Sequence, residues 1–236
     1  MEKVLYALTR AVDEPGAAFD DRLLGPVTDA LLDLGVRGLQ VNVADAAVAP
    51  AARMRIASST RPADALVSVW LDSAVDQLRR PVDEVLAGTA ATSAAYLVTE
   101  SRPLRNTRLP PEPGERTEGL AQVAFLQRPA TIPYETWLDL WLNGHTQVAV
   151  DTQDTFGYTQ NVVTRVLTPD APPWAGIVEE LFPAGAMTDA AVFYDAVGDD
   201  DRLRRHQAAM IASTQRFLDF TAIDVIPTSQ HVIRPV

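Results

Sequence analysis

Two short strings constrain the fold of this 236-residue chain more than any other feature. "GLQVNV" (Gly38–Val43) and "GYTQNV" (residues 157–162) share a glycine, a large apolar residue, an asparagine and a valine at the same offsets. The first alternates as a strand does: Leu39, Val41 and Val43 point one way, Gln40 and Asn42 the other. Each string follows a stretch of helical period. A pattern that recurs in this way about half a chain apart predicts two like units in tandem.

The rest of the chain fits that expectation. In the first half, residues 4–9 read as a strand. Leu23, Leu24, Val27, Leu31 and Leu34 mark a helix over residues 19–34 that Gly35 terminates. A strand follows around residues 66–71. Val75, Leu78, Val82 and Leu86 mark a second helix, which Pro81 is expected to kink or break, and "AAYLVTE" is a strand. In the second half "LAQVAFLQ" is a strand and a helix starts after Pro133. "TFGYTQNVVTRVL" and "WAGIVEELF" are strands. A helix begins at Asp199, Asp200 and Asp201, which read as N-cap and dipole partners and not as a metal site. "IDVIPTSQHVI" is the last strand. The order βαββαβ, met twice, is that of the ferredoxin-like unit. Each four-stranded sheet alone leaves one apolar face wet, so two units pairing their sheets into an α/β barrel with helices outside is the expected α+β architecture. Residues 1–101 and 119–236 are the expected units. The stretch "RPLRNTRLPPEPGERTE" (102–118), rich in proline, is expected as an exposed linker, with Arg102, Arg105, Arg108 and Arg116 read as solvated charges in preference to an anion-binding cluster.

Composition narrows the function. The chain has no cysteine, which excludes disulfides, thiolate metal sites and cysteine nucleophiles. A formal charge of −11 argues against a nucleic-acid partner. No run approaches the ~20 apolar residues of a membrane span, and the start "MEKVLYALTRAVDEP" lacks a signal-peptide core, so a cytoplasmic protein without a membrane partner is expected.

The second-half helix carries "WLDLWLNGHTQVAV". Its Trp141 and His145 have the W-x-x-x-H spacing of the EthD family of the dimeric α/β-barrel superfamily, which the chain resembles over most of its length as two tandem units. "HTQVA" stands where that family has H-G-P-L-A, with Gln147 in place of the proline. In the first half, Leu24 and Asp20 stand where histidine and tryptophan belong, although Gly25 and Pro26 are kept. A shift of two residues would instead set Pro26 opposite His145. The resemblance implies a small hydrophobic or aromatic carbonyl ligand inside the barrel. It also implies cofactor-independent acid/base chemistry of the cyclase, isomerase or lyase type, and a homodimer of the tandem chain. The alternative is a non-catalytic binding or assembly protein with a degenerate site.

Trp137, Trp141 and His145 recur every four residues and form one row on a helix. The row has three readings. It is the packed inner face of a helix with His145 at the dipole end, or it lines a cavity with His145 as general acid/base, or it presents His145 to haem. In the catalytic reading Trp137, Trp141, Tyr158 and Gln160 bind the substrate, and no cofactor or metal is needed. Tyr158 and Gln160 share one face of their strand, Asn161 the other. His206 is expected to be solvated and His231 structural or at a dimer contact.

Overall fold

Both strings lie on strands of one closed barrel. The computed structural model describes residues 1–236. Strands β1 (Glu2–Thr9), β2 (Gly38–Val43), β4 (Ala65–Leu71) and β5 (Thr92–Leu104) come from the first half, together with a two-residue edge piece, β3 (Ile56–Ala57). Strands β6 (Leu120–Leu126), β7 (Gly157–Val166), β8 (Gly176–Phe182) and β9 (Ile223–Arg234) come from the second. Around the ring the order is β2-β4-β1-β5-β7-β8-β6-β9, and β9 returns to pair with β2. Every pairing is antiparallel. Each half contributes its second, third, first and fourth barrel strands in that sequence, the ferredoxin-like order. The halves join edge to edge through two seams, β5–β7 and β9–β2. The seam strands β5 and β9 are the longest, at 13 and 12 residues. Closure leaves the eight-strand ring without a free edge.

Period-2 alternation then separates two environments. Outward-facing Val4, Tyr6, Leu8, Leu39, Val41, Val43, Val67 and Val69 pack under α1 (Gly16–Arg22), α2 (Thr28–Asp33) and α3 (Asp76–Thr89). In the second half Tyr158, Val178 and Val225 face α4 (Tyr134–Leu138), α5 (Thr146–Thr152) and α7 (Asp200–Thr214), with a short α6 (Ala190–Phe193) between. The inner face holds Leu5, Leu66, Tyr96, Val98, Val123, Phe125, Ile177 and Ile226. The polar alternates Gln40 and Asn42 thus point into the barrel. The string expected to be half-buried is covered on both sides.

Three local expectations need correction. Helix α3 runs unbroken through Pro81, because Pro81 and Gln77, whose carbonyl loses its partner, are both exposed and water can serve that carbonyl. The first-half helix is not continuous. A wide π turn (Leu23–Val27) separates α1 from α2: Gly25 leaves the helical region at φ −110° and ψ −105°, and Pro26 has no N–H for the Arg22 carbonyl. The same interruption, Asp139–His145, separates α4 from α5. Gly25 and Gly144 are 119 residues apart, as are Gly38 and Gly157, so Pro26 stands opposite His145. In each turn a following threonine donates its hydroxyl to a freed carbonyl: Thr28 to Leu23 at 2.7 Å, Thr146 to Leu142 at 2.7 Å. Gly35 ends α2 at φ +76°, as expected of a helix-terminating glycine.

The stretch 102–118 is the third correction. Residues 102–104 belong to β5. The far end is tied to β9: Gly114 donates to the Val232 carbonyl and Thr117 to that of Gln230, both at 2.8 Å, and Thr117 is buried. Between these anchors the backbone is largely exposed and crosses one end of the barrel.

Candidate functional site

The five residues singled out in sequence meet in one place, on the outer face of the barrel wall beneath the helices. Trp137 and Trp141 have 0% exposure and their rings lie 5.0 Å apart. Trp137 Nε1 donates to the Phe217 carbonyl at 3.1 Å. They reach this depth because position 176 is glycine: a Cβ there would stand 2.5 Å from Trp141 Cη2. Tyr158 joins the same apolar cluster. Gln160 donates to Thr146 Oγ1 at 2.8 Å, one residue beyond His145, and accepts from Ser101 at 3.2 Å. His145 is 7% exposed, its Nδ1 2.9 Å from Ser213 Oγ and its ring 5.0 Å from Phe217. Burial with no charged partner lowers its pKa to about 4, so the imidazole is neutral at pH 7. Haem does not fit this row. An axial ligand needs open space for a porphyrin on one side of the ring, and His145 is enclosed by α7 and the sheet. Beneath the same helices burial pushes the Glu180 carboxyl up to about 7, although Gln122 donates to it at 3.3 Å.

None of the five faces the barrel interior. There the lower half is filled by Leu5, Ala7, Leu66, Tyr96, Phe125, Trp174, Ile177 and Ile226. The upper half is polar and opens into a cavity of about 280 Å³. Lys3 stands at its floor, only 4% exposed. Its Nζ lies 2.6 Å from Glu100 Oε2, an ion contact without hydrogen-bond geometry, and donates to Glu179 Oε1 at 3.2 Å. It also sits 4.7 Å from the centre of the Trp70 ring, within cation–π range. Glu179 accepts further from Gln40 and from Asn161, the latter at 3.2 Å. Asn42 donates to Thr228 at 3.1 Å, so the asparagines of both strings belong to this inner polar layer. Burial alone would raise the Glu100 carboxyl, but Lys3 and Arg102 beside it outweigh that and hold it below its ordinary value.

The interior does not follow the repeated strand order. Reading the registers outward from Asn42 and Asn161 sets Lys3 against Ala121, Glu100 against Gln230, and Glu179 against Ser68. Each charged member thus faces an uncharged counterpart. Ser68 Oγ is buried without a partner.

Sequence reasoning missed Lys3, Gln40, Glu100 and Glu179. One signal was present: "GIVEELF" puts two glutamates in the middle of an apolar strand, which an exposed edge explains but a closed barrel does not. The arginine cluster proves dispersed. Arg102 pairs with Glu100, Arg108 with Asp154 at 2.7 Å, and Arg116 donates to Ser229 at 2.7 Å, while Arg105 lines the cavity. Asp199 caps α7 by accepting from the Arg202 N–H at 2.8 Å. His206, expected to be solvated, is half-buried, with Nδ1 2.7 Å from the Tyr194 carbonyl oxygen. His231 pairs with Arg116 in an isolated antiparallel β-bridge beside β9.

No helix is long and apolar enough to cross a membrane. No protein-family profile matches the chain, and no curated protein matches it in sequence. Solved structures do resemble it. An anthrone oxidase-like protein superposes with a TM-score of 0.61 at 11% identity, over 99% of this chain and 94% of the other. A proposed monooxygenase from Lactobacillus acidophilus gives 0.48 at 9% identity, over 100% and 97%. A proposed chlorite dismutase gives 0.48 at 10%, over 97% and 95%. At these identities the likeness concerns the fold alone: the α+β barrel is shared.

Proposed function

We propose that the chain binds a small, largely flat carbonyl compound at the open end of the barrel, against Trp70, Gln40 and the Lys3–Glu100–Glu179 cluster. The observation that carries this reading is Lys3, an ammonium buried between two carboxylates at the floor of a cavity. Burying such a group is costly, and apolar residues fill the other end of the same barrel without one. The arrangement suits cofactor-independent acid/base chemistry. A ligand carbonyl oxygen accepts an N–H from Lys3, displacing Glu100. Glu100 then takes the proton from the carbon next to that carbonyl, and the resulting enolate oxygen stays hydrogen-bonded to Lys3. His145 has no part in this reading. It lies on the far side of the wall, and with Trp137, Trp141, Tyr158 and Gln160 it serves packing.

The non-catalytic alternative also has an observation in its favour. Lys3 already has partners on several sides, which suits a brace inside the barrel. One experiment separates the two. Aromatic methyl ketones are titrated into the protein in D₂O, with binding followed by calorimetry and exchange of the methyl protons by NMR. Binding with exchange, both lost in Lys3→Met, supports the enzyme reading. Binding without exchange supports the alternative. Binding that survives Lys3→Met and is lost in His145→Gln would move the site to the helix layer.

A further inference from the structure

We infer that the ligand of the barrel mouth is an anion: a carboxylate carried on a flat apolar body. This rests on the mouth being the binding site and goes beyond it in naming the charge. The chain as a whole is acidic, with 31 carboxylate side chains against 20 lysines and arginines, yet the cavity reverses the balance. Lys3, Arg102, Arg105 and Arg234 line it, against Glu100 and Glu179 alone among acidic side chains. The two carboxylates are already used, since Glu179 and Glu100 both contact Lys3 and Glu100 also pairs with Arg102. Arg105 and Arg234 are left without an acidic side chain as partner.

Arg105 is exposed and has neither an ion pair nor a hydrogen bond. Arg234 donates only to the Val36 carbonyl, at 2.8 Å. Strands β5 and β9, which lead to these two arginines, are four places apart in an eight-strand ring. They therefore approach the mouth from opposite sides. The lining is mixed, with Trp70, Leu104 and Leu181 beside Asn106, Thr159 and Gln230. Arginines at the rim of a cavity attract and orient a carboxylate by charge-assisted hydrogen bonds. A cavity of about 280 Å³ limits the body to one or two rings.

The test uses the full chain and a matched pair of probes, 4-ethylbenzoate and 4-ethylbenzamide. Affinity is measured by calorimetry and location by tryptophan fluorescence, whose response should vanish in Trp70→Phe. The acid should bind at least about tenfold tighter than the amide, and the advantage should shrink as salt rises. Arg105→Gln and Arg234→Gln should each weaken the acid several-fold and leave the amide unchanged. Equal binding of acid and amide, with the Trp70 response intact, would overturn the anion inference while the mouth remains the site. A fluorescence response that persists in Trp70→Phe, or no binding of either probe, would overturn the mouth reading itself.

Discussion

Lys3 and His145 are both nitrogen bases buried against aromatic rings, and they lie on opposite faces of the same barrel wall. Lys3 meets Trp70 on the inside and His145 meets Phe217 on the outside. Their partners differ. Lys3 has two carboxylates and a cavity above it, whereas His145 has one hydroxyl and no charge, and burial drives it neutral. Depth alone therefore says little about a role. A buried base matched by acids beside open space can exchange partners with a ligand, and one packed against carbon and a hydroxyl supports the helix.

The sharpest break in this comparison is structural. Trp141→Ala should cost about 3–5 kcal/mol in chemical denaturation without changing ligand affinity, since it empties the helix layer and leaves the mouth intact. Lys3→Met should cost up to about 3–5 kcal/mol by stranding Glu179, and should abolish binding as well. The double change Lys3→Met with Glu179→Gln should recover part of that stability and none of the binding.

The pH dependence of stability tests the outer face. His145 has a folded pKa of about 4 against an ordinary 6.5, so the unfolded chain takes up the proton first as pH falls. Its contribution is present above pH 6.5 and lost on descent to about 4, on the order of 3 kcal/mol. Glu180 is opposite in sign. With a folded pKa of about 7 against 4.5, it favours the fold at low pH, and that preference is lost as pH rises from 4.5 to 7. In urea melts the two oppose each other between pH 4.5 and 6.5, and Asp20, pushed up to about 6 by burial, adds to the Glu180 side. Relative to the parent, Glu180→Gln should shift the slope toward stability gained with rising pH over that window, and His145→Gln toward stability lost. Ser213→Ala, which removes only a hydrogen bond to the imidazole, should cost about 1 kcal/mol. Arg105→Gln should stay within about 0.5 kcal/mol of the parent in stability, because nothing in the fold leans on it.

The fold was legible because period-2 and period-3.6 patterns are local. Leu39, Val41 and Val43 announced a strand, and the recurrence of "GxxxNV" announced a second. The Trp137–Trp141–His145 row was legible as a row, since four-residue spacing fixes one helix face. Its surroundings were not, because nothing local says whether a row meets a cavity or a glycine such as Gly176 that lets two indoles close the gap. The interior cluster was illegible for a related reason. Lys3, Glu100 and Glu179 are about 80 to 180 residues apart and converge only when the ring closes. On an isolated strand each reads as a solvated charge.

Closure within one chain has a consequence for stereochemistry. A barrel assembled from two identical subunits has a twofold axis through its lumen, so a molecule placed there finds two equivalent, flipped poses. Here Lys3 faces Ala121, and Glu100 faces Gln230. No second copy is needed to complete the wall. An unsymmetrical guest of the kind proposed would therefore find a single preferred heading, with one end of its skeleton turned to the ammonium, where a twofold lumen offers two equivalent ones.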